Sequence, residues 1–234
     1  MNYLYLLLNL GSISIPFLFS FHPKLKFYKL WRSLLKSMFI SMLVFIPWDI
    51  VFTANGFWGF NSAYLLGFEL FYLPVEEWLF FICIPYACVF THYALLYYFP
   101  NLGLPDNYTK MIAYILVFLF TIVIVYNYNK WYTLINFTLA IILIYITLKT
   151  QLKLLSQFYI TFLVMLIPFF IVNGILTGSY IQDEVVWYNN AENLNIRLFT
   201  IPVEDAVYAF SLILLNLFLM VSFQRSQKTS QSPH

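Results

Sequence analysis

Long apolar segments dominate this chain and restrict the folds that are open to it. A helix that crosses the hydrocarbon core of a bilayer needs about 20 mostly apolar residues. Only 9% of the residues are charged, whereas soluble domains carry about 25%. The chain is therefore predicted to be an all-α membrane protein with about seven transmembrane helices. They are expected near residues 2–20, 33–54, 75–98, 109–127, 131–149, 157–177 and 202–223.

Two short motifs occur in matching places in the two halves of the chain. Residues 73–77 read LPVEE and open the third predicted helix, and residues 201–205 read IPVED and open the seventh. A second pair supports the repeat, because residues 43–48 (LVFIPW) resemble residues 164–169 (VMLIPF). Helices 1–3 therefore match helices 5–7. A single connector helix between them gives both triplets the same orientation, related by an axis along the membrane normal.

The repeat divides the chain into four predicted parts. The first repeat, with helices 1–3, occupies 1–107, the connector helix occupies 108–130, and the second repeat, with helices 5–7, occupies 131–223. The Ser/Gln/Lys-rich tail at 224–234 is predicted to be disordered and cytoplasmic. The aromatic stretch at 55–73 is predicted to be a short interfacial or re-entrant segment.

The positions of Lys and Arg predict the orientation of the helices. Basic residues follow helices 1, 3, 5 and 7, whereas only Lys130 and Arg197 lie on the opposite side. Since the basic side of a membrane protein is usually cytoplasmic, the N-terminus is predicted outside and the C-terminus inside. Both acidic motifs then lie near the non-cytoplasmic face. The formal net charge of +2 gives no indication of a nucleic-acid partner.

Four carboxylates in the repeated motifs are the predicted catalytic residues: Glu76, Glu77, Glu204 and Asp205. A carboxylate at membrane depth is costly and usually functional. Neighbouring acids on a helix point about 100° apart, so a working pair is expected across the repeat axis. Clustered carboxyl groups in a medium of low dielectric constant supply a proton donor beside an ionised base. The alternative is a purely structural helix start, since acids in the first turn complement the helix dipole.

Other polar and aromatic residues are predicted to surround these acids and bind the substrate. Asp49 lies in helix 2 near the same face, and a charge inside a membrane helix needs a partner. The aromatic residues form either an interfacial belt or a wall that stabilises a carbocation. The predicted substrate-binding residues are Asp49, Asn173, Trp48, Trp78, Glu69 and Tyr72.

The sequence contains none of the common cofactor or diphosphate motifs. There is no glycine-rich dinucleotide motif, no Walker motif and no aspartate-rich motif of the kind that holds Mg²⁺-diphosphate. Neither a cofactor nor a metal ion is therefore predicted.

Residues 67–81 (GFELFYLPVEEWLFF), with IPVED at 201–205, resemble the small integral-membrane lycopene cyclases. In that family two related subunits form a heterodimer in some bacteria and are fused in archaea and fungi, and this chain resembles the fused form. The resemblance implies an isomerase that protonates the acyclic end of lycopene, closes a ring and removes a proton. Lycopene would pass through γ-carotene to β-carotene without net redox change.

The resemblance implies a carotenoid substrate in the lipid bilayer and contact with other carotenoid-pathway enzymes. We expect Glu76 or Glu204 to be the proton donor, with Glu77 and Asp205 as base or support. The sequence leaves open which is acid and which is base, whether the ring is β or ε, and the oligomeric state. Two alternatives are a hydratase that quenches the same cation with water and a non-enzymatic carotenoid-binding or transport protein.

Overall fold

The computed structural model describes residues 3–230, and the side chains of residues 3–226. Within that part the chain forms seven α-helices, six of which are long and apolar enough to cross a membrane. The first helix is shorter, with 16 residues. The predicted all-α membrane architecture is confirmed. The helices are α1 (Leu4–Phe19), α2 (Trp31–Ala54), α3 (Val75–Tyr98), α4 (Asp106–Tyr126), α5 (Trp131–Thr150), α6 (Leu152–Leu176) and α7 (Val203–Ser230).

Six short strands form three antiparallel ribbons between the helices. Two of the ribbons are hairpins that lead directly into α3 and α7, and the third joins the two halves. The segment 55–73 contains the first strand, a short 3-10 helix and the first hairpin. The strands are β1 (Trp58–Phe60), β2 (Glu69–Leu70), β3 (Leu73–Pro74), β4 (Val186–Tyr188), β5 (Arg197–Leu198) and β6 (Ile201–Pro202).

The two hairpins have the same construction. The Val75 amide donates to the Phe68 carbonyl oxygen at 2.9 Å, and the Val203 amide donates to the Ile196 carbonyl oxygen at 3.0 Å. Each bond closes the hairpin at the first residue of a helix, where the amide has no partner within the helix. The hairpins therefore fix the start of α3 and of α7 in the same way.

The third ribbon pairs equivalent strands of the two repeats. Gly59 of β1 lies opposite Trp187 of β4, and the flanking pairs are Trp58 with Tyr188 and Phe60 with Val186. A Cβ atom on Gly59 would lie only 2.3 Å from the Trp187 ring. Glycine is therefore required at this point of contact between the two repeats. A pairing of equivalent segments with each other is the arrangement that a two-fold axis produces.

The helices of the two repeats also pack in an equivalent manner. α1 packs mainly on α3, and α5 packs on α7, within each repeat. Between the repeats α2 packs on α7 and α3 packs on α6. α4 packs on α5 and leaves most of its surface facing outwards, as a connector helix does. Since lipid is as apolar as the side chains, close packing and polar contacts, more than the hydrophobic effect, hold such helices together.

Several predicted boundaries need correction. The connector helix occupies 106–126, where a helix at 109–127 was predicted, and α6 begins at Leu152, where 157 was predicted. α7 continues to Ser230, so residues 224–230 of the predicted disordered tail are helical. Extending an existing helix needs no new nucleus, and Gln, Arg and Lys are good helix formers. Residues 231–234 of that tail lie outside the described residues.

Candidate active site

A largely apolar cavity of 690 Å³ lies between the two repeats. Its walls come from six helices, α1, α2, α3, α5, α6 and α7, and from the ribbon of β1 and β4. Along α3 the lining residues run from Glu77 to Thr91, which corresponds to about 21 Å of helix. A cavity with these proportions suits a long apolar ligand held by a few polar groups.

Three carboxyl groups line this cavity: Asp49 from α2, Glu77 from α3 and Asp205 from α7. All three residues are buried. Glu77 interacts electrostatically with both Asp49 and Asp205. The cavity therefore brings together acids from both repeats, which is the arrangement expected from the repeated motifs.

Asp205 accepts hydrogen bonds from three neutral donors. The Tyr132 hydroxyl donates to Oδ1 at 2.7 Å. The Asn173 amide at 2.8 Å and the Tyr188 hydroxyl at 3.0 Å both donate to Oδ2. An ionised carboxylate only accepts hydrogen bonds and has about four sites for them. These contacts therefore suit a carboxylate that is ready to receive a proton.

Tyr188 reaches Asp205 from β4, outside the membrane helices. Burial, followed by the charge of Asp205, raises the pKa of Tyr188 well above its ordinary value. A raised pKa keeps the phenol protonated. Tyr188 thus stays a hydrogen-bond donor to Asp205 at all physiological pH values.

Asp49 and Glu77 have fewer donors. The Trp58 indole donates to Asp49 Oδ1 at 2.7 Å, and the Tyr5 hydroxyl donates to Glu77 Oε2. Among the described residues Asp49 Oδ2 has no hydrogen-bond partner, although it is buried. Two such carboxyl groups side by side are suited to sharing one proton, as like charges in a dry site cannot both be ionised cheaply.

The first acid of each motif, Glu76 before Glu77 and Glu204 before Asp205, points away from the cavity. Leu66 donates its amide to Glu76 Oε1 at 2.6 Å, and Leu194 donates its amide to Glu204 Oε1 at 2.7 Å. Neither glutamate is among the residues that line the cavity. Their contacts tie the loop before each hairpin to the first turn of the following helix. The role of proton donor expected for Glu76 or Glu204 stays a prediction.

Four further residues repeat the same pattern and were not recognised in the sequence. Asn9 donates to the Glu76 carbonyl oxygen at 2.8 Å, and Asn136 donates to the Glu204 carbonyl oxygen at 2.7 Å. One turn before each asparagine lies a tyrosine that donates to a cavity acid. The repeated spacing Tyr-x-x-x-Asn in α1 and α5 is the signal that could have revealed them: Tyr5 with Asn9 and Tyr132 with Asn136.

The predicted substrate-binding residues divide into two groups. Asp49 and Asn173 line the cavity. Trp48 lies behind the lining and packs against the ring of Tyr208, which does line it, with 5.1 Å between ring centroids. Tyr208 interacts electrostatically with all three cavity acids.

The other three predicted substrate-binding residues lie at the first hairpin, away from the cavity lining. Glu69 and Tyr72 are exposed. The Trp78 indole donates to the Leu70 carbonyl oxygen at 3.3 Å and so braces the hairpin against α3. None of the three is among the lining residues, and their substrate-binding role stays a prediction.

Aromatic rings surround the carboxylate end of the cavity. Trp58 and Tyr132 meet edge to face with 5.0 Å between centroids, and Tyr132 stacks on Tyr188 at 6.0 Å. The electron-rich faces of such rings attract a cation. Among residues 3–230 no group of three or more His, Cys, Asp and Glu is arranged to hold a metal ion.

Comparison with known protein families gives one result. The family model described as lycopene cyclase matches residues 2–95 and 129–223. The two matched segments correspond to the two repeats and leave out most of α4. No curated protein matches the chain significantly, and no solved structure does so.

Proposed function

Because the chain belongs to the lycopene cyclase family, we propose that it forms β-ionone rings at the ends of lycopene, giving γ-carotene and then β-carotene. Membership of the family implies a cyclase, an isomerase that acts on a carotenoid. The observation that carries the finer proposal is the placement of three carboxyl groups at one end of an elongated apolar cavity.

The proposed reaction adds and removes one proton for each ring. A carboxylic acid protonates the terminal double bond of the acyclic end and leaves a tertiary carbocation. The next double bond attacks this cation and forms the new carbon–carbon bond of the ring, which moves the positive charge to a ring carbon. A carboxylate then removes a proton, and the electrons of that C–H bond form the ring double bond. Atoms and electrons balance without an oxidant or a reductant.

The contacts support different roles for the acids of the two repeats. We assign the proton donor to the pair of Asp49 and Glu77, because each has one donor and the two lie within electrostatic range. We assign the base to Asp205, because three donors hold it as an acceptor. An alkene is a poor base, so its protonation needs the dry, preorganised surroundings that this cavity provides.

The position of the base decides which ring forms. A β ring results when the proton leaves the ring carbon that carries the polyene chain, whereas an ε ring results when it leaves the ring carbon on the far side of the cation. Asp205 lies beside Tyr132, Tyr188 and Asn173, which fix its two oxygens. A fixed carboxylate selects one of the two C–H bonds, and the proposal is that it selects the one next to the chain.

Expression in lycopene-accumulating cells, followed by chromatography of the pigments, tests this function. β-Carotene with γ-carotene as intermediate is the expected product, and the Asp205→Asn variant should leave lycopene unchanged. ε-Ring products would overturn the assignment of the ring. Hydroxylated carotenoids would identify a hydratase, and unchanged lycopene with stoichiometric pigment binding would identify a carotenoid-binding protein.

We also propose that the carboxylate end of the cavity lies on the non-cytoplasmic side. The distribution of Lys and Arg supports this orientation, with a cytoplasmic C-terminus and an external N-terminus. Topology reporters fused after residues 28 and 190 should give opposite signals. Equal signals would contradict the orientation.

A further inference from the structure

The cavity reaches the outer surface of the helix bundle between α1 and α6. Three of its lining residues are also strongly exposed on that surface: Leu7 and Ile15 of α1, at 54% and 65%, and Ile171 of α6, at 60%. A side chain that lines a cavity and is also exposed marks an opening. All three are aliphatic, which is the composition expected of a surface that faces lipid.

Gly11 lies in the middle of this opening. It lines the cavity and is exposed, and a Cβ atom placed on it would meet nothing within 4 Å. α1 packs mainly on α3 and makes little contact with α6. The gap between α1 and α6 is therefore open at Gly11, and a Cβ atom added at this position would displace no protein atom.

In the other repeat, the ring of Trp48 lies across the equivalent gap between α5 and α2, and the residues of these two helices that line the cavity are buried. Thr138 of α5 corresponds to Gly11, and it is exposed but does not line the cavity. Trp48 of α2 corresponds to Phe169 of α6, and its ring packs against Tyr132 with centroids 6.4 Å apart and against Tyr208 at 5.1 Å. Within residues 3–226, the cavity therefore has exposed lining residues between α1 and α6 and none between α5 and α2.

We propose that the gap between α1 and α6 is the portal through which the end of a carotenoid enters from the bilayer. This inference rests on the proposed function, since it names the route of the substrate to the same carboxylates. The end group would pass Leu7, Gly11 and Ile171 and come to rest at Glu77 and Asp205, while the rest of the polyene stays in lipid. One portal admits one end at a time, so the singly cyclised product must withdraw and turn before its second end can react.

The native Cys88 provides a measure of access that does not depend on catalysis. Cys88 lines the cavity, whereas Cys83 is buried and does not line it. In a Cys83→Ala background, phenylmercuric acetate supplied in the lipid phase would react with the Cys88 thiol. A sulfur–mercury bond forms, acetate leaves and takes the thiol proton, and mass spectrometry follows the adduct with time. The additional change Cys88→Ala should abolish labelling.

The decisive variants are Gly11→Trp and the matched control Thr138→Trp, at the equivalent position of the closed side. We expect Gly11→Trp to slow both labelling of Cys88 and lycopene turnover at least about tenfold. Thr138→Trp should leave both rates unchanged. A graded series, Gly11→Ala, Gly11→Leu and Gly11→Trp, guards against misfolding, because access should fall with side-chain size while thermal stability is retained.

The two proposals fail in different ways. If Gly11→Trp leaves labelling at the wild-type rate, the portal is overturned, whatever happens to turnover. If labelling slows in Gly11→Trp but the wild-type protein yields no cyclised carotenoid, the portal stands and the proposed function is overturned. An equal loss of labelling in Thr138→Trp would also overturn the portal, because access would then not be limited to one side.

Discussion

The two repeats share a framework but supply different chemistry. In both, a tyrosine on the first helix donates to the second acid of the motif, and an asparagine one turn later donates to the carbonyl oxygen of the first acid. The first repeat, however, adds Asp49 beside Glu77, whereas the second adds Asn173 and Tyr188 to Asp205. One half therefore presents two neighbouring acids, and the other presents one acid with three donors.

This difference suggests how a duplicated unit can perform acid and base chemistry in one cavity. Both repeats need the hydrogen bonds to the backbone at the start of α3 and α7, because these bonds fix where the two helices begin. The partners of the inward-facing acids are free to differ, since they do not hold the hairpins. We infer that the two halves are equivalent in folding and unequal in the proposed proton transfer.

The largest expected effect comes from separating the repeats. Because the cavity takes Asp49 and Glu77 from the first repeat and Asp205 from the second, neither half contains the proposed site. Fragments 1–101 and 102–234, cut in the loop before α4, should each be inactive, and their co-expression should restore cyclisation. The measurement is pigment chromatography from lycopene-accumulating cells. A single fragment that cyclises lycopene would contradict a shared site.

Within each motif, the inward-facing acid should matter far more than its neighbour. Glu77→Gln and Asp205→Asn should each lower turnover at least about 100-fold, the low end for a positioned general acid or base. The matched changes Glu76→Gln and Glu204→Gln keep the oxygen that accepts the loop amide, and should lower turnover by less than about tenfold. Turnover is measured per folded protein in lipid, without added flavin or nicotinamide.

The comparison of these matched variants also decides whether the proton donor is a cavity acid or the first acid of a motif. If Glu76→Gln or Glu204→Gln lost as much turnover as Glu77→Gln, the donor expected from the sequence would be supported and the assignment to the cavity acids would fail. A strict requirement for reduced flavin would refute a mechanism based on protein carboxyl groups alone.

A smaller effect should come from one donor to the base. Tyr188→Phe removes the 3.0 Å hydrogen bond to Asp205 but leaves those of Tyr132 and Asn173. A hydrogen bond to a charged group contributes about 1.5–3 kcal/mol. Because two other donors remain on Asp205, we expect the low end of that range, which is a fall in turnover of about tenfold. Tyr180→Phe is the control, because Tyr180 is 99% exposed. An unchanged rate in Tyr188→Phe would show that this donor does not act on the base.

The pH dependence of that variant follows from the raised pKa of Tyr188. The folded protein holds this proton more tightly than the unfolded chain does. The contribution of protonated Tyr188 to the stability of the folded protein is therefore complete below the ordinary pKa of tyrosine, about 10. It is lost only as the pH rises through the higher pKa that Tyr188 has in the folded state. The wild-type and Tyr188→Phe proteins should consequently keep a constant difference in stability from neutral pH up to about pH 10.

The sequence identified the helices and the repeat, but only part of the site. Long apolar segments and matching motifs are local signals, and they placed α2, α3 and α5 within two residues at each end. The Leu66 amide holds the Glu76 side chain away from the cavity, so that Glu77 faces it. Leu66 lies in an irregular loop before the first hairpin, and the spacing of apolar residues in the sequence does not predict the course of such a loop. Trp58 and Tyr188 reach the acids through the ribbon between the repeats, a contact between distant segments.

The smallest expected effect tests whether the shared framework is as equal as the contacts indicate. Asn9→Ala and Asn136→Ala each remove one hydrogen bond from a buried amide to the carbonyl oxygen of the first acid of a motif, at 2.8 and 2.7 Å. In a membrane protein such a bond contributes about 1 kcal/mol. The two variants should therefore lose similar amounts of unfolding free energy, measured by titration from mild detergent into sodium dodecyl sulfate. Thr138→Ala, at an exposed position of α5, serves as the control. A large loss of unfolding free energy in one variant and none in the other would mean that this hydrogen bond stabilises only one of the two repeats. The shared framework would then be unequal in the two repeats, as the surroundings of the cavity acids are.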